Sequence, residues 1–167
     1  MQTHIMPRYA FRTALGYCAV SWENAVLTRF ELPEATLSID DEPSPPPEII
    51  ALAERVRAHL DGQFQDFSDL PYQFSLVPVF ACDVYRATLA IKPGQTRTYG
   101  EIAATLNQPA SASRAVGSAL GANPWPLLIP CHRVVAAGGK MTGFSGPGGI
   151  QTKLRLLALE GDQLFPM

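Results

Sequence analysis

At 167 residues, with 47% hydrophobic and 17% charged side chains, the chain is long enough to bury a real core as one domain or as two small ones sharing an interface, and reads as an ordinary soluble globular protein. Three cysteines, Cys18, Cys82 and Cys131, are odd in number and widely spaced, which does not suit a disulfide framework and fits a reducing, cytoplasmic setting better. The formal charge of −2 hides a division along the chain: residues 1–78 hold five Lys/Arg against eleven Asp/Glu, a net −6, and residues 79–167 hold eight against four, a net +4. A positive half is what a phosphate-facing surface requires, although a solvated face carries the same sign.

The apolar stretch after Arg12 is cut short at Ser21–Asn24 with no small-residue cleavage site, so no signal peptide is expected. No apolar run reaches the roughly 18–20 residues of a membrane span. Phe11–Trp22 and Ala25–Leu32 are β-rich runs parted at Glu23 and Asn24, the pattern of an antiparallel hairpin, and Thr36–Ile39 adds a short strand. After the proline-rich DDEPSPPPE, apolar residues at Ile49, Leu52, Ala53, Val56 and Leu60 recur at helical spacing, and Gly62 stops that helix. A mixed segment to Pro78 then links two halves.

The second half is mostly helical. Val79–Ile91 has helical periodicity and ends at Lys92-Pro93-Gly94. Thr98-Tyr99-Gly100-Glu101 has the capping-box form and opens a short helix, Tyr99–Leu106; Asn107-Gln108-Pro109 breaks the chain, and a second short helix runs from about Ser111 to Leu120. Two short helices across a tight turn form a helix-turn-helix pattern. The second carries Ala112, Ala115, Ala119, Gly117 and Gly121, leaving one surface nearly without side-chain bulk. Two helical glycines cost about 1 kcal/mol each relative to alanine, so either close packing inside the protein or close approach to a partner has to offset them.

LLIPCHRVVAAGG, Leu127–Gly139, sets Cys131 beside His132 within apolar sequence. A free thiol near pKa 8.5 is mostly protonated at neutral pH and needs a neighbouring base or cation to act as a nucleophile. His132 is the local base, and the acids of this half that are available to orient it are Asp83, Glu101, Glu160 and Asp162, with Glu101 already used in capping. Alone, the pair reads more readily as a buried, inert cysteine beside a core histidine, and only its surroundings change that.

The order TYGEIA, SRAVG, NPWP, IPCHRVV, GFSG and TKLRLLALEG, over about residues 79–162, resembles the O6-alkylguanine-DNA alkyltransferase (methylated-DNA–protein-cysteine methyltransferase) family. The resemblance implies an α+β fold: an N-terminal RNase H-like antiparallel sheet plus helix over residues 1–78, and a mostly helical, winged-helix-like domain with a helix-turn-helix over 79–167. It implies single-turnover, direct-reversal repair of O6-alkylguanine in double-stranded DNA by a monomer bound in the minor groove, and leaves open whether O4-alkylthymine is also a substrate. Cys131 is then the alkyl acceptor, His132 and Glu160 its relay, Asn123 a brace for the active-site turn, and Tyr99 a donor to the departing guanine. Ser113, Arg114, Ala115 and Gly117 would meet DNA, with Arg114 entering the stack as the nucleotide rotates out. Val134, Phe144 and Ser145 would line the base pocket, Phe144 standing where the family commonly has tyrosine, in a loop longer than the common pattern. Some relatives carry zinc, but Cys18, Cys82, His4 and His59 lack ligand spacing, so neither a metal nor a cofactor is expected. Two other classes remain: a DNA-binding, lesion-recognising regulator that transfers nothing, which leaves PCHR unexplained, and a Cys-His-Glu hydrolase, which leaves RAVG unexplained and needs an oxyanion hole.

Overall fold

The computed structural model describes residues 7–34, 37, 44–139 and 149–161. Its first element group is an antiparallel meander, β1 (Arg8–Thr13), β2 (Gly16–Glu23) and β3 (Val26–Glu31). The expected single strand Phe11–Trp22 is therefore two strands. Thr13 pairs with Gly16 across a two-residue turn, where the Thr13 hydroxyl donates to the Gly16 carbonyl at 2.7 Å and accepts from the Leu15 N–H at 3.1 Å. Gly16 at φ +124° supplies the backbone angle that other residues rarely adopt. The break anticipated at Glu23 and Asn24 is the second turn, with Asn24 and Ala25 both at positive φ (49° and 67°), the form whose twist matches a hairpin. The short strand expected at Thr36–Ile39 lies outside the described residues apart from Leu37, which is not in a strand.

Helix α1 (Pro47–Leu60) starts on prolines that need no N–H donor there, and buries Ile49, Leu52, Ala53, Val56, His59 and Leu60. Gly62 follows at φ +99°, its N–H donating to the His59 carbonyl. α2 (Val79–Leu89) ends two residues earlier than its periodicity indicates, because Ala90 already caps it. β4 (Arg97–Thr98) leads directly into α3 (Tyr99–Thr105), and a 3₁₀ turn at Ala110–Ala112 precedes α4 (Ser113–Gly121). The capping box forms as expected: Glu101 N–H donates to Thr98 Oγ1 at 3.0 Å and Thr98 N–H to Glu101 Oε1 at 2.9 Å. A 3₁₀ turn at Cys131–Arg133 runs into β5 (Val134–Val135), and α5 (Gly149–Leu159) closes the described chain.

One continuous apolar core joins the meander, α1 and the helices. Trp125, fully buried, is its pivot: its indole N–H donates to the Leu27 carbonyl of β3 at 3.1 Å, and its ring meets Tyr72, Phe74 and Tyr85. The Phe30 N–H also reaches the Pro124 carbonyl at 2.9 Å. These contacts fix the loop before Cys131 against the sheet. Among the described residues, no helix is long and apolar enough to cross a membrane.

Candidate active site

The thiol sits on a turn whose shape is set from two sides. Upstream, Asn123 is buried and bridges the loop: its side-chain N–H donates to the Ile129 carbonyl at 3.0 Å, and its oxygen accepts from the Trp125 N–H at 2.9 Å. The loop it spans holds Leu127 at φ +76°, a left-handed conformation costly for a branched side chain and maintained by burial of that residue. Downstream, β5 pairs in parallel with β4, Arg97 with Val134 and Thr98 with Val135. That pairing carries the start of α3, and with it the half-buried Tyr99, to the strand that follows Cys131 and His132.

Behind the turn lies a buried polar cluster centred on Glu160. Its Oε1 accepts from His132 Nε2 at 2.9 Å and from Arg133 Nε at 2.8 Å. Its Oε2 accepts from Arg133 Nη2 at 2.7 Å and from His59 Nε2 at 2.8 Å. Arg133 spends a further N–H on the Ile91 carbonyl at 2.7 Å. Burial pushes the Glu160 carboxyl up, but His132, Arg133 and His59 together outweigh it and hold the group far below the ordinary carboxylate range. Glu160 is therefore an anion, and His132, joined to it through Nε2, has Nδ1 as its remaining lone pair. That atom is buried and has no hydrogen-bond partner among the described residues.

The resting protonation differs from a preformed thiolate. Burial pushes the Cys131 thiol up, and this outweighs the hydrogen bond from Asn123, the nearby Lys153 charge and backbone N–H groups, all of which pull it down. Burial likewise pushes His132 down against the pull of Glu160. Lys153, buried on α5, is lowered by burial and raised by Cys131, and its ammonium lies 5.9 Å from the Tyr99 ring centroid. A neutral thiol and a neutral imidazole, flanked by a cation and an anion, can pass a proton to become a stabilised ion pair.

Cys131, His132, Glu160, Asn123 and Val134 are thus brought together in the buried interior, with Tyr99 at its edge. Arg114 and Ala115 are exposed on α4, beside the half-buried Ser113 and Gly117. Phe144 and Ser145 lie outside the described residues. A Cβ on Gly117 would make only ordinary contact with the Tyr99 ring, at 3.8 Å, and one on Gly121 would meet nothing. Internal packing therefore does not account for either glycine. Sequence reasoning assigned no role to Arg133, Lys153 or His59. Each had a signal: Arg133 interrupts an apolar run, Lys153 precedes Leu156 and Leu157 by three and four residues, and His59 follows Val56 by three on the apolar face of α1. Among the described residues, no group of three or more His, Cys, Asp or Glu is arranged to hold a metal ion.

The profile of the family "6-O-methylguanine DNA methyltransferase, DNA binding domain" matches residues 79–162, and alignments with whole relatives extend the likeness into the sheet. The chain is 37% identical over 153 residues to the methylated-DNA–protein-cysteine methyltransferase of Mycolicibacterium paratuberculosis, covering 87% of each chain. The chain belongs to the methylated-DNA–protein-cysteine methyltransferase family. A further member, from Methanosarcina acetivorans, is 49% identical over 112 residues, covering 65% of this chain and 67% of that one. The crystal structure of the Mycobacterium tuberculosis protein in complex with DNA superposes with a TM-score of 0.75 at 34% identity, covering 92% of both chains. The O6-methylguanine-DNA methyltransferase of Pyrococcus kodakaraensis gives 0.69 at 26%, covering 94% of this chain and 99% of that one. The α+β class expected of this family is the class observed.

Proposed function

We propose that the protein repairs DNA by direct reversal, moving the alkyl group from O6 of guanine onto Cys131. The observation that carries this reading is a buried thiol followed by an imidazole whose Nε2 is committed to the Glu160 carboxylate while Nδ1 is not. Membership of the methyltransferase family supports it. Cys131 Sγ attacks the alkyl carbon in line with the C–O6 bond. The S–C bond forms as C–O6 breaks, the thiol proton passes to His132 Nδ1, and the bonding electrons leave with guanine. Tyr99 donates its hydroxyl proton to the base and recovers one from His132, so the net transfer is one proton from thiol to guanine. Lys153 and Glu160 each face a charge that appears in this step. The thioether is a poor leaving group and no hydrolysis follows, so each molecule acts once.

Duplex DNA reaches the site through α4. Its small residues let the backbone approach a minor groove, whose readout is degenerate, as a repair protein needs. Arg114 fills the stack after the damaged nucleotide rotates out, a step costing a few kcal/mol and least for a weakly paired lesion. Val134, buried on β5 just beyond the Cys131 turn, lines the base pocket. The division into residues 1–78 and 79–167 belongs to the same reading, as do monomeric action and a cytoplasmic, DNA-associated location.

Incubation with duplex containing O6-methylguanine, followed by mass spectrometry of the Cys131 peptide, tests the proposal. The expected result is a gain of one methyl group, stoichiometric with protein and without turnover. Binding with no gain turns the reading into a lesion-recognising regulator, and repeated ester cleavage on an unmodified thiol turns it into a hydrolase.

A further inference from the structure

His59 belongs to α1, on the side of the molecule built from the sheet, yet its side chain is buried against the carboxylate of Glu160 at the far end of α5. Its tautomer follows from its surroundings. The Gln65 backbone N–H donates to His59 Nδ1 at 3.0 Å, so Nδ1 is the acceptor and the hydrogen lies on Nε2, aimed at Glu160 Oε2. Phe64 and Phe67 hold the ring in place, with centroids at 5.3 Å and 5.5 Å.

The Arg133 fork already touches both Glu160 oxygens and fixes the plane of the carboxylate. His59 is not needed to orient it. What His59 adds is a fourth donor on a single negative charge, placed across that carboxylate from His132. Every donor that draws on the charge leaves less of it to stabilise an imidazolium at His132. Resting on the alkyl-transfer reading above, we propose that His59 is a positioning residue: it competes with His132 for Glu160 and holds Cys131 and His132 in their uncharged thiol–imidazole form. The sheet side of the molecule thereby contributes one member of the relay. Among the described residues, the other charged and titratable groups about the cluster are Arg133 on Glu160, Asp66 acting on Arg133 from the segment after α1, and Lys153 and Tyr85 acting on Cys131 from α5 and α2. None of them lies between His59 Nε2 and the carboxylate that accepts from it at 2.8 Å.

His59→Phe fills the same aromatic site without a donor, and His59→Gln keeps both a donor for Glu160 and an acceptor for Gln65. The full-length protein and both variants are alkylated with iodoacetamide across pH 5–9, and the rate at the Cys131 peptide is followed by mass spectrometry. The expected result is a rising limb about one pH unit lower for His59→Phe, roughly tenfold more thiolate at a given acidic pH, with His59→Gln close to the parent. A Phe profile that is unmoved or shifted upward overturns the proposal, as does a Gln profile that moves as far as Phe. His59→Leu, also without a donor, gives the same readout if the Phe variant does not fold. Transfer from O6-methylguanine duplex is measured alongside. Failure of the parent there overturns the repair reading, while the iodoacetamide profiles still decide the role of His59.

Discussion

Replacing Glu160 by glutamine removes one charge with almost no change in volume, and the cluster makes the cost unusually direct. Each carboxylate oxygen accepts two hydrogen bonds, Oε1 from His132 and Arg133, Oε2 from Arg133 and His59. Whichever oxygen becomes an NH₂ group, its hydrogens confront two donors, so the amide cannot rotate out of the conflict. Arg133 is left as a buried cation without its counter-charge. Breaking a buried pair in this way costs about 3–5 kcal/mol, which for a chain of this size lowers the melting temperature by roughly 6–20 °C. The pH dependence follows from the depressed folded-state pKa of Glu160. A depressed carboxylate contributes stability that is fully present above its unfolded value, near about 4.3, and is lost as pH falls further toward the folded value. The gap between parent and Glu160→Gln is therefore complete at neutral pH and narrows under acid. Thermal and urea unfolding of both proteins at pH 7, 5 and 3 measure it. A gap below about 1 kcal/mol at pH 7, less than one charged hydrogen bond is worth, refutes this account of the cluster, as does a gap that widens toward pH 3.

Cys131→Ala is expected to abolish methyl transfer while unmodified duplex binds with nearly parental affinity in a fluorescence-anisotropy titration; lost binding would assign Cys131 to the DNA surface instead. Arg114→Ala should slow repair of duplex at least tenfold more than reaction with free O6-benzylguanine, and equal losses on both would remove its role in nucleotide rotation. Gly117→Ala meets only the Tyr99 ring at ordinary contact distance, so it should stabilise the protein by about 0.5–1 kcal/mol through helix propensity and weaken duplex binding. Stabilisation with unchanged binding would mean that DNA does not approach this face.

The elements with local causes were legible in the sequence. α1 followed from its apolar spacing, and α3 began where Thr98 and Glu101 form the capping box. Glu160 was reached by a family resemblance together with the scarcity of acids in the second half. The first hairpin was not legible, because Phe11–Trp22 is apolar through its turn and the deciding features are one glycine and one threonine hydroxyl. Arg133, Lys153 and His59 escaped for a different reason. A charged or titratable side chain on an apolar face is evident from spacing, but its partner is a tertiary property, and residues 59, 133 and 160 meet only once α1 and the turn at Cys131–Arg133 both reach the end of α5. An arginine inside LLIPCHRVV nevertheless demands a buried acid, and Glu160 is the one that answers.

The same cluster reconciles two observations that pull against each other. A nucleophilic cysteine should be a thiolate, yet burial holds the Cys131 thiol protonated and the His132 imidazole neutral. Before the proton moves, neither Lys153 nor Glu160 has its complement on the Cys131–His132 pair. After it moves, the thiolate lies in the field of Lys153 and the imidazolium on Glu160 at 2.9 Å. The dry interior that penalises isolated charge at rest strengthens both attractions once the charges appear. On the alkyl-transfer reading proposed above, burial of the thiol and its activation are two consequences of one arrangement, with the stabilising groups aimed at the charges that develop as the S–C bond forms.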